Sequence, residues 1–169
     1  RMDREGRKKG GVITYILEEF APLTKVLYRE SNSFVEVLAL WVTSLNLIIV
    51  NLYRPPACEL KKFRSVIAKL NDVLEDLPAP MPELVIVGDF NLPHVSWPDM
   101  KTVHGGTRQD NDQAKLLFGF AERWCLTQVV DAPTRGDNML DLVLTNNDEL
   151  VHDLVVDKTI LSDHMLIKI

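Results

Sequence analysis

The residues with most to offer chemically gather at the ends of apolar runs. Leu84-Val85-Ile86-Val87 is continuously apolar, reads as a strand buried on both faces, and stops at Gly88. Asp89 and Asn91 follow immediately, two apart, so in extended geometry their side chains leave the strand end in the same direction. A carboxylate there can hold a hard cation or align water, and a neighbouring amide can hydrogen-bond that water or a phosphate oxygen. The same pair also suits a plain Asx turn, which is common after strands.

Ser162-Asp163-His164 repeats the placement, lying between a polar stretch and the terminal apolar run Met165–Ile169. A histidine with an ordinary pKa of about 6.5 can exchange a proton near neutrality or, protonated, stabilise charge on a phosphorane. Read singly, a His-Asp dipeptide more often simply lies on a solvated surface. Asp141 stands inside Met139-Leu140-Asp141-Leu142-Val143-Leu144, where an unpaired buried carboxylate would be expensive. An imidazole or a cation as its partner resolves that cost, and orienting a histidine is the usual work of such a carboxylate. The alternative is the solvent face of an edge strand.

Tyr53, after Ile48-Ile49-Val50-Asn51-Leu52 and before Arg54-Pro55-Pro56, leaves a strand where the backbone must stay extended. Its phenol can reach a phosphate or be buried with its hydroxyl satisfied. Thr134 has the same two readings, and Arg135 beside it is a candidate phosphate contact. Trp97 reads as a packing anchor for the loop after Asn91. His94, His104 and His152 lack the helical i, i+3 or i, i+4 partners of a metal site and read as surface or loop residues.

The elements that must position these residues are legible in outline. Val12–Leu17, Leu23–Tyr28, Phe34–Val42 and Leu45–Tyr53 are apolar or β-branched runs separated by turn residues, which predicts strands in an antiparallel meander. Leu60, Phe63, Ile67, Leu70, Leu74 and Leu77 recur at three- and four-residue steps, predicting a helix that Pro78 and Pro80 end. A second helix is expected over Asp112–Trp124, capped by Asp110 or Asn111, after a loop over Pro98–Gln109. Leu126–Val130, Leu140–Leu144, Leu154–Val156 and Met165–Ile169 complete the strands. Strands outnumber helices and do not alternate with them, which points to an α+β layered sandwich with mixed sheets.

Length and composition fit this picture. A chain of 169 residues, 46% hydrophobic and 25% charged, suits a single domain over residues 1–169 and excludes a disordered, collagenous or coiled-coil protein. Two cysteines, Cys58 and Cys125, in neither a CxxC nor a Cys/His pattern, give no disulfide framework or zinc site and favour a reducing, intracellular setting. No signal peptide is visible, and the most apolar stretch, Val37–Tyr53, carries Thr43, Ser44, Asn46 and Asn51, which hydrocarbon would penalise. The net charge of −5 opposes simple wrapping of a polyanion, but a divalent cation in an acidic site reverses the local sign. Arg1, Arg4, Arg7, Lys8 and Lys9 form a basic N-terminal segment that reads as a solvated terminus or hairpin tip, with a nucleic-acid contact as the alternative.

Taken in order, Gly10-Gly11-Val12, Asn51-Leu52-Tyr53-Arg54-Pro55-Pro56, Gly88-Asp89-Phe90-Asn91, Pro133-Thr134-Arg135, Leu140–Asn146 and Ser162-Asp163-His164 resemble the endonuclease/exonuclease/phosphatase superfamily. More narrowly, YRPP, GDFNLPHVSWP, PTR and LDLVLTN are similar to the apurinic-type endonuclease domain of non-LTR, LINE-type retrotransposon polyproteins of the chicken-repeat branch. The resemblance implies a DNase I-like four-layer α/β sandwich, two mixed sheets flanked by helices. It also implies a magnesium-dependent endonuclease, with manganese as a substitute, that hydrolyses a DNA phosphodiester and so nicks a target site for retrotransposition. In that pattern Asp89 aligns or activates the attacking water, Asn91 holds water or phosphate, and Tyr53 contacts the scissile phosphate. Asp141 orients His164, which steadies the phosphorane. Asp163 lies near the metal, and Thr134, Arg135 and Ser162 face the phosphate.

The family's opening strand and helix, and the strand whose Gln-Glu-Thr supplies the principal Glu ligand, have no counterpart in this sequence, and Glu36 does not match that position. The resemblance further implies DNA as partner, a reverse-transcriptase domain C-terminal to this one, no membrane, and a nuclear site of action. Two other readings remain: a non-catalytic nucleic-acid or protein-binding module derived from a retrotransposon, and a phosphatase of the same fold.

Overall fold

The computed structural model describes residues 2–3, 11–31, 35–160 and 162–169, with no side chains described for 2–3. Its centre is a six-stranded sheet of β3 (Thr24–Ser31), β4 (Glu36–Val42), β5 (Leu47–Tyr53), β6 (Glu83–Asp89), β10 (Asp141–Thr145) and β9 (Thr127–Gln128), in the order β3-β4-β5-β6-β10-β9. Only β5 and β6 run parallel; the other neighbours are antiparallel, so the sheet is mixed. Parallel neighbours need a crossover, and α1 (Leu60–Glu75) supplies it.

Alternation along the strands decides what lies on each face. Ile48, Val50 and Leu52 of β5, Val37 and Ala39 of β4, Leu84 and Ile86 of β6, and Leu142 and Leu144 of β10 turn to one side. There they pack against Phe63, Val66, Ile67, Leu70 and Leu74 of α1 and against Leu117, Phe120 and Ala121 of α2 (Arg108–Arg123). The opposite face is covered in two patches. Val12 and Ile16 cover Leu38 and Leu40. Val156 of β11 (Val155–Asp157) and Ile167 of β12 (Leu166–Lys168), an antiparallel pair, cover Val85 and Val143. The expected α+β architecture of mixed sheet and flanking helices is thus present. Among the described residues the second sheet is reduced to small pieces, chiefly β11 with β12.

Several sequence boundaries move. Val12–Leu17 is not one strand: β2 is Gly11–Val12, paired with β1 (Met2–Asp3), and 13–17 run on before a 3-10 helix over Glu18–Leu23. Residues 13–17 alternate in and out as a strand would, because they lie across the sheet's face without a ladder of their own. The basic residues Arg1, Arg4, Arg7, Lys8 and Lys9 lie outside the described residues. Within the Pro98–Gln109 loop, β8 (Lys101–Thr102) pairs with β7 (Val95–Ser96), and α2 begins at Arg108. The α2 cap is Thr107 rather than Asp110 or Asn111. Its hydroxyl accepts from the Asp110 amide while the Asp110 carboxylate accepts from the Thr107 amide, a complete capping box. Cys58 is buried, Cys125 is exposed, and both are free.

Candidate active site

The strand register builds the site. Glu36 is opposite Tyr53, Tyr53 opposite Asp89, and Asp89 opposite Asp141, a single row across β4, β5, β6 and β10. Paired residues share a face, and this row lies on the face away from the helices. Gly88 is what allows the strands to close here. Its φ is +147°, and a Cβ would come within 1.7 Å of the Leu52 carbonyl oxygen, so no other residue fits.

His164 joins from the far end of the chain. Its Nδ1 lies 2.7 Å from Asp141 Oδ2, and its Nε2 lies 4.0 Å from Asp89 Oδ2. An ionised carboxylate only accepts, so the pairing puts the ring proton on Nδ1 and turns Nε2 toward Asp89. At 4.0 Å the second contact is too long for a direct hydrogen bond, and it leaves Nε2 and Asp89 facing a common space. The side chains of all three are only 19–20% exposed. The partner that the sequence demanded for Asp141 is therefore His164.

Burial, then the like charge of Asp141, push Asp89 up to about 6, against the opposing pull of His164 and of the hydrogen bonds from Asn91. Ligand atoms of Asp89, Asp141 and His164 lie within 4.8 Å of one another, the only group of this kind among the described residues. Two carboxylates in partial burial repel each other, and a divalent cation relieves that repulsion. Such a cation needs only one or two protein carboxylates when water and phosphate oxygens complete its shell. The residues present fit one on that basis.

The turn after Asp89 is an Asx turn as well as part of the site, because the Asn91 amide donates to Asp89 Oδ1 at 3.0 Å. The Asn91 side chain is buried, and its Nδ2 donates to the Arg54 carbonyl at 3.0 Å, so this amide group is engaged in holding the turn. Phe90 and Leu92 pin the turn into the core. Trp97 is the anchor expected of it, with Nε1 donating to the Met139 carbonyl and its ring edge-on to Phe118 at 6.0 Å.

Other expected residues sit differently. Thr134 is turned inward. It is fully buried, and its hydroxyl oxygen accepts the amides of Leu140 and Asp141, both at 2.9 Å. Its carbonyl accepts the Met165 amide at 2.7 Å, so one residue ties the strand carrying Asp141 to the segment carrying His164. Asp163 is exposed and bound by Arg135 through Nε at 2.8 Å and Nη2 at 2.6 Å, which holds its carboxyl below the usual range. The structure does not bring that pair into the Asp89, Asp141 and His164 cluster. Ser162 accepts the His164 amide at 3.1 Å, shaping the local turn. Tyr53 holds its place in the row and packs beside Val12, Leu38 and Leu40.

Two buried polar residues escaped the sequence reading. Arg54 is 1% exposed and Gln113 0%. The only hint in sequence is a Gln on the apolar side of a helix pattern.

Comparisons with known proteins place the chain in a family and find a likeness of fold. Residues 47–168 match the family described as "Endonuclease-reverse transcriptase". The chain belongs to that family. No curated protein matches the chain. Among solved structures, the endonuclease domain of TRAS1, a telomere-specific non-LTR retrotransposon, superposes with a TM-score of 0.50 at 16% identity, over 84% of this chain. The chain spans 66% of the length of that structure. At this identity the likeness is one of fold, and it agrees with a DNase I-like arrangement of mixed sheet and flanking helices. The retrotransposon endonuclease resemblance drawn from the sequence thus stands.

Proposed function

We propose that this family member is a metal-dependent DNA endonuclease domain that nicks one strand of a duplex. The observation that carries the proposal is the three-residue constellation at the sheet end. Asp141 holds His164 by Nδ1 at 2.7 Å, and His164 Nε2 and Asp89 Oδ2 face one another at 4.0 Å. A phosphodiester seated over this pair, in contact with both, meets a base at Asp89 and a hydrogen-bond donor at His164 Nε2. Asp89 accepts a proton from water as the water oxygen bonds to phosphorus. The P–O3′ bond breaks, and the 3′ oxygen leaves and takes up a proton from solvent water. Protonated His164, its charge matched by Asp141, donates from Nε2 to an oxygen of the crowded phosphorus. Asp89 and Asp141 supply the carboxylate oxygens for a divalent cation, magnesium or manganese, which when bound gives the phosphate a positive neighbour.

The product is a free 3′-hydroxyl, the primer that a reverse transcriptase in the same polyprotein would extend. DNA as substrate, that polyprotein context and a nuclear site of action belong to this reading. Among the described residues no helix is long and apolar enough to cross a membrane.

The test is nicking of supercoiled plasmid by the chain in Mg²⁺, in Mn²⁺ and in chelator, with Asp89→Asn and His164→Ala alongside. Cation-dependent nicking that drops at least about a hundredfold in each variant is expected from the size of a general-base contribution. Nicking that both variants retain would sink the assignment. DNA binding that needs no cation and survives both substitutions would point to a binding module instead.

A further inference from the structure

We infer that Arg54, together with Gln113, is the positioning residue of the Asp89–Asn91 turn. The inference rests on reading Asp89 as a working residue.

Arg54 follows the last residue of β5 and is buried beneath the turn. Its Nη1 donates to the carbonyls of Phe90 at 3.1 Å and Asn91 at 3.0 Å. Its own amide donates to the Asp89 carbonyl at 2.8 Å, and its carbonyl accepts Asn91 Nδ2 at 3.0 Å. One residue thus makes hydrogen bonds to all three residues of the turn. Its Nε donates to Gln113 Oε1 at 2.5 Å, and Gln113 Nε2 donates to the Cys58 carbonyl at 2.7 Å. The guanidinium also lies 5.8 Å from the Phe63 ring centroid.

Such a cation is costly to bury. Among the described residues no carboxylate forms an ion pair with Arg54, and burial pulls its pKa down. What only a guanidinium supplies is a rigid planar set of donors that reaches two successive carbonyls on one side and an amide oxygen on the other. Those carbonyls need donors because Asn91 is held at φ +48°, a left-handed conformation that turns the local backbone inward. Gln113 fixes the fork from α2, so the turn is braced by β5, by the segment before α1 and by α2 together. Lysine, a single point charge, cannot reproduce this arrangement.

The experiment compares amide hydrogen exchange, thermal unfolding and Mn²⁺ affinity for the chain and for Arg54→Lys, Gln113→Leu and Arg54→Lys/Gln113→Glu. The key amide is Asn91 N–H, which donates to Asp89 Oδ1; Val50 and Leu142 in the sheet serve as controls. Arg54→Lys should speed exchange at Asn91 by about tenfold or more relative to those controls, as expected when a local hydrogen-bonded brace is removed. Mn²⁺ should bind about tenfold more weakly, in line with the loss of a support behind a ligand. The double variant creates a buried charge pair in place of the Arg54–Gln113 hydrogen bond, so it should regain thermal stability without regaining Asn91 protection.

Unchanged Asn91 exchange in Arg54→Lys would overturn the inference. So would equal acceleration at Asn91, Val50 and Leu142, or recovery of Asn91 protection in the double variant, since either would mean a general structural role. If Arg54→Lys does not fold, Gln113→Leu, which keeps the cation and removes its brace, is judged by the same three amides. A parent chain that binds no Mn²⁺ would count against the functional reading, and the exchange comparison would still decide the role of Arg54.

Discussion

Asp89 is held in an environment that favours its protonated form, and that has opposite consequences for stability and for chemistry. Its carboxyl titrates near 6 in the folded chain against 3.8 ordinarily. A raised folded pKa means that the protonated acid is the form the fold accommodates. Its stabilising contribution is complete below about 4 and is lost as pH rises through about 6. At pH 8 the ionised group is therefore a burden of roughly 1–3 kcal/mol on the metal-free chain. Asp89→Asn should raise the melting temperature at pH 8 and leave it nearly unchanged at pH 3.5, measured by thermal scans in chelator. An equal gain at both pH values would show that charge is not the cause. Nicking should do the reverse, falling at least about a hundredfold in the variant.

At the scale of elements, the site depends on how strand ends are closed and tied. Thr134 gives its hydroxyl to two amides at the start of β10 and its carbonyl to the segment bearing His164. Thr134→Val keeps the shape and leaves both amides buried without a partner, at a cost of about 2–4 kcal/mol from the usual penalty per group. Thr134→Ser should recover most of it, and a valine variant as stable as the parent in urea titrations would refute the role. Gly88→Ala meets a backbone oxygen and a left-handed φ together, and should lose about 3 kcal/mol or more, or fail to fold. The strand over Leu84–Val87, both helices and the strand-end placement of Asp89 and His164 were legible because apolar period and turn residues speak directly of them. The roles of Thr134 and Arg54 were not, because a side chain that turns inward to satisfy backbone groups leaves no periodic trace. Residues 13–17 misled for the converse reason: they alternate like a strand while lying across a face that already has its ladder.

For the whole molecule the decisive quantity is charge. At −5 overall, with Asp89 and Asp141 at the centre of the site, the chain repels phosphate wherever nothing intervenes. Arg135, a cation that the sequence offers for phosphate, is already engaged by Asp163, and that pairing competes with its use by DNA. On the proposed reading, affinity for a duplex draws on a cation held by the carboxylates more than on displaced counterions. Retention of a labelled duplex by the chain should accordingly appear when Mg²⁺ or Ca²⁺ is added and vanish with chelator. Its salt dependence should be shallow, about one or two phosphate contacts by the slope of log affinity against log salt. Asp163→Asn frees Arg135 and removes one negative charge, so it should tighten retention in chelator about threefold to tenfold and steepen that slope by about one contact. Tight binding by the parent chain in chelator, with a slope of six or more contacts by the same measure, would mean that a basic surface and not the acidic site holds the DNA.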